Sequence, residues 1–360
     1  MKALPGGSAF SVLRRNTMQR YPFPKTQLHC HLDGAILPAT LFEMAKERNI
    51  PLPGNATTVE ELTPFVVYGP DCVSVNTFLE RFELPTMILQ DAEALERTAF
   101  ELVCRLADEG HIYADIRFAP QLHTRKGMSQ EEAIRAVRAG IDRALEIHGG
   151  EIVIGLIICC MSFGTADLNH EANLETAHLA VSCHDAGIIS AMDLAGAEGM
   201  CHLTDFSDLF EIANAGHCPI TCHAGDSQEP VEIRTAIEVF GSRRIGHGHH
   251  IIDDIDLVRE AIDLGVTLEI CPTSNIQCLT QPSYEKHPIR KLFDMGLHVT
   301  VSTDNPVISG VTVEDEYDHL KESLGFTDKE LVKMNLYAVE AAFCDEKTKA
   351  ELRRKLEAYL

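Results

Sequence analysis

Two histidines near the start of the chain, His29 and His31, stand two residues apart. In a β-strand, side chains two residues apart point to the same face of the sheet. Two imidazoles on one face suggest a shared ligand, and a divalent metal is the first candidate because neutral imidazole is a common zinc ligand. A His-x-His pair is frequent by chance, so the rest of the chain must decide.

The elements that position these histidines follow a regular alternation of strands and helices. Short apolar runs occur at residues 25–31, 112–118, 152–160, 187–194, 219–223, 244–247, 266–271 and 297–302. Stretches with helical spacing separate them, for example 129–147, 174–186 and 256–264, and glycine or proline marks most joints. Apolar strands alternating with helices predict a parallel sheet covered on both faces. Eight such units predict an α/β protein, a (β/α)8 TIM barrel, with residues 25–360 as one domain.

An insertion at residues 51–110, after the first strand, carries several further helical patterns. Within it, Val75, Phe78, Leu79 and Phe82 fall on one helical stripe. Core packing is the simpler explanation of such a stripe. Its place just after the first strand also leaves room for a lid over a pocket.

Composition narrows the possible partners. The formal net charge of −23 comes from 31 basic and 54 acidic side chains, which disfavours nucleic acid and anionic membranes. A neutral small-molecule substrate remains compatible with that charge. No apolar run reaches the length needed to span a membrane.

The N-terminal residues and the cysteines indicate the cellular compartment. Residues 1–24 contain basic and proline positions without an apolar segment, so we expect a loosely ordered extension rather than a signal peptide. Several of the 12 cysteines lie in apolar runs, where a thiol behaves as a small hydrophobe. Reduced thiols in a cytoplasmic protein are the resulting expectation.

Polar residues gather at the ends of the predicted strands, where the reactive groups of a barrel lie. One such residue could merely cap the next helix. A whole set at one end of one barrel instead indicates a metal-dependent active site. The set is His29, His31, Asp33, Gly196, His223, Asp226, His247, Asn275, Asp304 and Asn305.

Three imidazoles and one carboxylate from this set suit zinc. A catalytic zinc keeps a position for water and lowers the pKa of that water to about 7. His247 is a neighbour that could accept the proton of the water or orient it. Asp226 could donate a proton to the substrate. The predicted zinc ligands are His29, His31, His223 and Asp304.

Six motifs in this order resemble the adenosine deaminase family within the metal-dependent amidohydrolase superfamily. They read LHCHLDGA at 28–35, MDLAGAE at 192–198, HAGD at 223–226, RIGHG at 244–248, CPTSN at 271–275 and STDNP at 302–306. Their order and placement at strand ends match along residues 25–310, nearly the whole predicted barrel.

The resemblance implies hydrolytic deamination at C6 of a purine nucleoside, with adenosine and 2′-deoxyadenosine as substrates, inosine-type products plus ammonia, and one zinc ion per chain. It implies the zinc ligands given above and His247 as the histidine that orients or deprotonates water. Gly196 would donate its backbone N–H to purine N3, and Asp33 would hold the ribose hydroxyl region. His31 would also touch the substrate, and Phe78, Leu79 and Phe82 would form an apolar lid.

Two positions depart from the family pattern. The family usually has Glu where this chain has Asp226, the residue that must protonate purine N1. Asp keeps the carboxyl chemistry but is one methylene shorter, and misplacement by about 1 Å can cost about 10²-fold in rate. Many members have Asp where this chain has Asn305, which faces purine N7. An amide donates a hydrogen bond to N7 at any pH.

Three alternatives remain open at this point. The chain could deaminate another 6-aminopurine, either adenine or a modified nucleoside. It could bind nucleosides with impaired catalysis, because Asp226 replaces the usual Glu. A two-metal amidohydrolase is disfavoured, because such enzymes usually bridge their metals with a lysine on strand four, and residues 188–195 contain none.

Overall fold

The computed structural model describes residues 19–69, 75–227 and 229–360, and only the backbone of Val75 and Asn76. Eight strands lie within these residues, close to the positions that the apolar runs predict. They are β1 Lys25–His31, β2 His111–Phe118, β3 Val153–Ser162, β4 Ala191–Gly196, β5 Cys222–Ala224, β6 Arg244–His247, β7 Thr267–Ile270 and β8 His298–Val301.

The strands form two parallel four-stranded sheets, β1-β2-β3-β4 and β5-β6-β7-β8. Two parallel bridges join the sheets, Met192 with Ile220 and Cys30 with Asp304. At the second junction the backbone N–H of His31 donates to the carbonyl of Asp304 over 2.8 Å, and that of Asp304 donates to the carbonyl of His29 over 3.0 Å. The two sheets therefore close into the predicted parallel barrel, and the closing junction is built from candidate site residues.

Helices cover the outside of the barrel and lie between successive strands. Those in the described residues are α1 Pro38–Glu47, α2 Val59–Val66, α3 Val75–Leu79, α4 Glu83–Ile88, α5 Ala92–Asp108, α6 Gln130–His148, α7 His170–Asp185, α8 Ser207–Ala215, α9 Pro230–Arg234, α10 Ile255–Asp263, α11 Pro272–Gln277, α12 Ile289–Asp294, α13 Val313–Leu324, α14 Asp328–Ala341 and α15 Glu346–Glu357. After α9 the chain continues as a π-helical turn at Thr235–Val239.

Local sequence sets several helix starts. Ser129 begins α6 with a reciprocal capping box to Glu132, and Thr312 does the same for α13 with Asp315. Amphipathic spacing then turns one face of each helix to the barrel, where leucine, isoleucine and alanine side chains are buried.

The predicted helical insertion after β1 is present as α2 to α5, but its apolar stripe is not continuous. Phe78 is buried, Phe82 is half-buried, and Leu79 is 46% exposed. The chain tightens into a 3-10 turn at Glu80–Phe82, which changes the angular spacing that an α-helical stripe assumes. The side chain of Val75 lies outside the described part.

The last residues of the expected loose extension are packed. Tyr21 and Phe23 are 4% and 2% exposed, and their rings lie 5.2 and 5.9 Å from that of Tyr317 on α13. The Tyr21 hydroxyl donates to Asp318 over 2.6 Å, and Arg20 pairs with Asp315 over 2.6 Å. The prediction of loose order is therefore wrong for residues 19–24, because the two aromatic rings are buried against α13. Residues 1–18 lie outside the described residues.

None of the helices in the described residues has the length and apolar character needed to span a membrane.

The cysteines of the described residues are all free. Many of them are buried in the core, as expected of thiols that act as small hydrophobic side chains.

The packing of the N-terminal aromatics predicts a large loss of stability on Phe23→Ala. Removing a buried phenylalanine ring lowers the free energy of unfolding by about 3–5 kcal/mol. Urea titration followed by circular dichroism measures this change. Phe65, which is 42% exposed, gives a matched control, and Phe65→Ala should cost less than about 1 kcal/mol. Equal costs for the two variants would contradict a structural role for residues 19–24.

Candidate metal centre and active site

Four predicted ligand atoms converge at the mouth of the barrel. Nε2 of His31 lies 3.3 Å from Nε2 of His29 and 3.3 Å from Nε2 of His223. Oδ1 of Asp304 lies 3.4 Å from Nε2 of His29 and 3.3 Å from Nε2 of His31. The strand positions explain the meeting, since β1 and β5 supply the histidines and the loop directly after β8 supplies the carboxylate.

These spacings fit a single zinc ion. Ligand atoms that bind one zinc ion at about 2.0–2.2 Å lie about 3 Å or more from one another. Unprotonated imidazole nitrogens at this distance repel one another unless a cation lies between their lone pairs. The described residues contain two groups able to hold a metal, His29 with His31 and His223, and His29 with His247 and Asp304. The groups share His29, and Asp304 also lies 3.3 Å from His31, so they form one site.

Buried carboxylates fix the orientation of two of the imidazoles. Nδ1 of His29 lies 3.0 Å from Oε2 of Glu269, and Nδ1 of His223 lies 3.0 Å from Oδ2 of Asp193. A carboxylate accepts the Nδ1 proton, which leaves Nε2 free to bind a metal. Burial lowers the pKa of His29, whereas at His223 the Asp193 carboxylate outweighs burial and raises the pKa.

Two buried arginines hold those carboxylates in turn. Arg117 on β2 donates to Asp193 over 2.8 Å and to Glu269 over 2.6 Å. Arg244 on β6 donates to Glu269 over 2.7 Å and to Asp115 over 2.7 Å. Burial raises the pKa of Glu269, but the two guanidinium groups outweigh it and hold that pKa well below its usual value. Glu269 therefore stays ionised behind His29.

Asp304 is fixed by its backbone and by a neighbouring hydroxyl. Its φ of 58° lies in the left-handed region, which is unusual for a residue other than glycine and is associated with functional sites. Ser274 Oγ donates to Asp304 Oδ2 over 2.7 Å. Oδ1 is therefore the oxygen that faces the imidazoles.

His247, the last residue of β6, lies beside this cluster. Its ring centroid is 4.9 Å from that of His29, and its φ is 60°. Nδ1 of His247 lies 3.0 Å from the side-chain nitrogen of Asn275. The opposite nitrogen, Nε2, is therefore the one available to the metal pocket.

Asp226 lies in the loop after β5, and its side chain is 21% exposed. Oδ1 accepts from Asn275 over 2.6 Å and from Thr280 over 3.1 Å. Burial raises the pKa of Asp226, while His247 and His249 lower it, and the balance leaves that pKa below its usual value. Because the hydrogen bonds from the described residues end on Oδ1, Oδ2 is left for a substrate.

The loop that carries Asp226 is held by an acidic side chain from the loop after β4. Glu198 accepts from the backbone N–H of Ser227 over 2.5 Å and also from the N–H of Gly225. The two amides flank Asp226, so the carboxylate of Glu198 fixes the backbone on both sides of the shortened acid.

Two polar atoms at the mouth lack partners. Oδ1 of Asp33 and Oδ1 of Asn305 are buried without a hydrogen bond in the described part of the chain. Burial raises the pKa of Asp33 to about 6. Orphaned buried polar atoms are costly, so they mark places where a ligand can complete the site. Gly34 permits the approach of Asn305, since a Cβ at Gly34 would lie 2.0 Å from Oδ1 of Asn305.

Gly196 ends β4 at the exposed edge of the mouth, with a φ of 121° that favours glycine. A Cβ there would lie 2.4 Å from the carbonyl oxygen of Ser162, so the backbone can turn at this point only with glycine. Phe78 and Phe82, of the predicted lid, contact each other with ring centroids 6.2 Å apart. Their contact with a substrate, and that of Leu79, stays a prediction.

The sequence did not identify the residues that support Asp226, His247 and the proposed zinc ligands from behind. These are Asp193, Glu269, Arg117, Arg244, Glu198 and Asn275, of which Asn275 was noted only as a strand-end residue. Their signal was present, because an ionisable residue inside an apolar strand, such as Arg117 in β2 or Glu269 in β7, is almost never buried without a partner. The sequence alone does not say which partner that is.

Comparisons with known proteins agree with this fold. An adenine deaminase from Arthrobacter aurescens has a similar structure, with a TM-score of 0.82 at 24% identity over 93% of this chain and 98% of its own. An amidohydrolase from Burkholderia ambifaria with bound Zn gives a TM-score of 0.80 at 24% identity over 93% of this chain and 90% of its own. The chain thus has the same barrel fold as these two proteins.

Sequence similarity narrows the class to a family. The family model described as adenosine deaminase matches residues 24–359. An adenosine deaminase from Haemophilus ducreyi is 39% identical over 328 residues, which cover 90% of this chain and 93% of the relative. The chain belongs to the adenosine deaminase family.

The carboxylate behind His223 predicts weaker zinc binding for Asp193→Asn. Groups that orient a metal-bound histidine contribute about 10–100-fold to metal affinity. Competition with a chromophoric chelator measures this affinity. Asp142, an exposed partner of Arg138, supplies the control, and Asp142→Asn should bind zinc like the parent. Parental affinity in Asp193→Asn would refute an orienting role for this carboxylate.

Proposed function

We propose that this chain catalyses the hydrolytic deamination of adenosine, and of 2′-deoxyadenosine, to the corresponding inosine and ammonia. The observation that carries the proposal is the convergence of four ligand atoms, with neighbouring pairs 3.3–3.4 Å apart and with Asp226 and His247 beside them. Membership in the adenosine deaminase family and the activity named for its relatives support the same reaction.

The proposed metal is one zinc ion per chain, held by His29, His31, His223 and Asp304. When bound, zinc supplies a Lewis acid that lowers the pKa of water to about 7. Burial lowers the pKa of His29 and His31 and so favours their neutral, metal-binding forms, whereas at His223 burial is outweighed by the Asp193 carboxylate, which raises the pKa and orients the ring. The protein also keeps Asp304 ionised, since the neighbouring histidines outweigh burial and hold that pKa well below its usual value.

His247 orients the attacking water against purine C6. Its backbone conformation and the contact with Asn275 fix the ring beside the ligand cluster. The site must favour tetrahedral C6 over the planar purine, so a hydrated-purine mimic should bind more tightly than product.

Asp226 donates the proton that N1 gains as C6 becomes tetrahedral. The proton is carried on Oδ2, since Oδ1 already accepts from Asn275 and Thr280. A purine ring over Asp226 removes its remaining contact with water, and this desolvation raises the pKa of the carboxyl towards the protonated form. Water and adenosine thereby yield inosine, and the amino group leaves as ammonia.

The nucleoside is recognised by the groups around the mouth. Asp33 accepts a hydrogen bond from the ribose, the backbone N–H of Gly196 donates to N3, and Asn305 donates to N7. His31 borders the substrate as well as the metal. Phe78, Leu79 and Phe82 cover the apolar faces of the nucleoside. The buried Oδ1 of Asp33, which has no partner in the described residues, supports the ribose contact.

The remaining expectations belong to the same proposal. Residues 25–360 act as one catalytic domain, the substrate is a small purine nucleoside rather than nucleic acid or membrane, and the compartment is the cytoplasm. No observation in the described residues favours adenine or a modified nucleoside over adenosine, and a panel of these three substrates separates the alternatives.

Replacement of the proposed acid predicts a defined loss of activity. Asp226→Asn keeps the size of the side chain but cannot give up an acidic proton, so kcat should fall by about 10²-fold or more. Asp226→Glu keeps the acid and should retain kcat within about tenfold. Loss of adenosine absorbance during turnover measures both rates.

The outcomes of this experiment are distinguishable. Unchanged turnover in Asp226→Asn would contradict the role of the acid. Binding of adenosine without turnover in the parent protein would instead support an impaired nucleoside-binding protein, and recovery of turnover in Asp226→Glu would then identify the missing methylene as the cause.

A further inference from the structure

A chain of hydrogen bonds runs behind the two proposed catalytic side chains. The backbone N–H of Ile289 donates to Nδ1 of His287 over 3.2 Å. Nε2 of His287 lies 3.1 Å from Oδ1 of Asn275. The side-chain nitrogen of Asn275 lies 2.6 Å from Oδ1 of Asp226 and 3.0 Å from Nδ1 of His247. We name His287 and Asn275 the relay.

The relay has only one consistent arrangement of protons. Nδ1 of His287 accepts from Ile289, so the proton of the neutral ring is on Nε2. That proton is donated to Asn275, whose oxygen must therefore face His287. Burial lowers the pKa of His287 to about 3, which keeps the ring neutral at physiological pH.

The amide nitrogen of Asn275 then has two protons for two acceptors. One is donated to Oδ1 of Asp226 and the other to Nδ1 of His247. A rotated amide would turn its oxygen towards the Asp226 carboxylate and its nitrogen towards the N–H of His287, and both contacts would be repulsive. The backbone N–H of Ile289 therefore fixes the orientation of the Asn275 amide through His287.

We propose that Asn275 and His287 are positioning residues for deamination, because they hold Asp226 and His247 in their reactive proton arrangements. The inference rests on the proposed function. Asp226 accepts on Oδ1 and therefore carries its acidic proton on Oδ2. His247 accepts on Nδ1 and therefore carries its proton on Nε2, the nitrogen available to the pocket.

Burial makes the relay rigid and its loss costly. Asn275 is 0% exposed and His287 is 3% exposed, so water does not replace either donor. A buried group that loses its partner bears the cost of desolvation. The relay also serves the shortened acid, because the contact at 2.6 Å anchors Oδ1 of Asp226 from behind.

The first test compares kinetic constants. Asn275→Leu should lower kcat by about 10²-fold with little change in KM, because the catalytic groups lose their alignment while the nucleoside contacts stay. Affinity for a hydrated-purine nucleoside mimic should fall in parallel, with unchanged affinity for inosine and unchanged zinc content. Parental kcat in Asn275→Leu would overturn the proposal.

The second test asks for rescue at position 287. The amide nitrogen of His287→Gln can replace Nε2 as donor to Asn275, so this variant should retain kcat within a few-fold, whereas His287→Leu should lose about tenfold or more. Equal losses in the two variants would overturn the role of the donor. His111→Leu is the control for the loss of a buried histidine, and its kcat should equal that of the parent. His111 lies at the start of β2, where its Nδ1 is bonded to the carbonyl of Leu106 over 3.0 Å.

The third test does not depend on activity. Nitrogen-15 NMR of histidine-labelled parent protein, assigned through the His287→Gln variant, should show His287 protonated on Nε2 and His247 protonated on Nε2, with the His247 signal altered in Asn275→Leu. Protonation of His287 on Nδ1 would overturn the relay. A parent that shows these signals but does not turn over adenosine would refute the deaminase proposal and leave the relay supported.

Discussion

The buried contacts of Arg117 are the constraint on which the site depends. One guanidinium from β2 binds Asp193 and Glu269, and these two carboxylates orient His223 and His29. Two carboxylates in an apolar barrel would be strongly destabilising without this cation, because each buried charge requires a partner. The protein thus holds two imidazoles with Nε2 turned towards the other ligands, and the buried guanidinium of Arg117 makes this possible.

Asp226 and His247 are likewise held by neighbouring polar groups. Asp226 is one methylene shorter than the Glu that the family usually has, and neighbouring side chains hold it in place. Glu198 fixes the backbone on both sides of it, and Asn275 anchors one oxygen. A buried polar partner therefore holds each of five site residues, namely His29, His223, Asp304, Asp226 and His247. These residues lie on strands or in the loops directly after them. Such preorganisation is what stabilises developing charge at a reaction centre.

Much of this could be predicted from the sequence, for identifiable reasons. Apolar runs and helical spacing are local properties, so the strands and the barrel followed from them. The ligands His29, His31, His223 and Asp304 followed because strand ends in a barrel meet at one mouth. Pairings such as Arg117 with Glu269 could not be predicted, since they join residues 152 positions apart and depend on side-chain direction inside the closed barrel. The burial of Tyr21 and Phe23 was missed because their binding surface is on α13, far along the chain.

The central claim is that one zinc ion lies among three imidazoles and one aspartate. The most direct test is a crystal structure of the zinc-loaded protein with anomalous data collected at the zinc absorption edge. We expect a single anomalous peak bound by Nε2 of each of the three histidines and by Oδ1 of Asp304. A peak outside this cluster, or two peaks that share it, would show that the four residues do not hold one zinc ion.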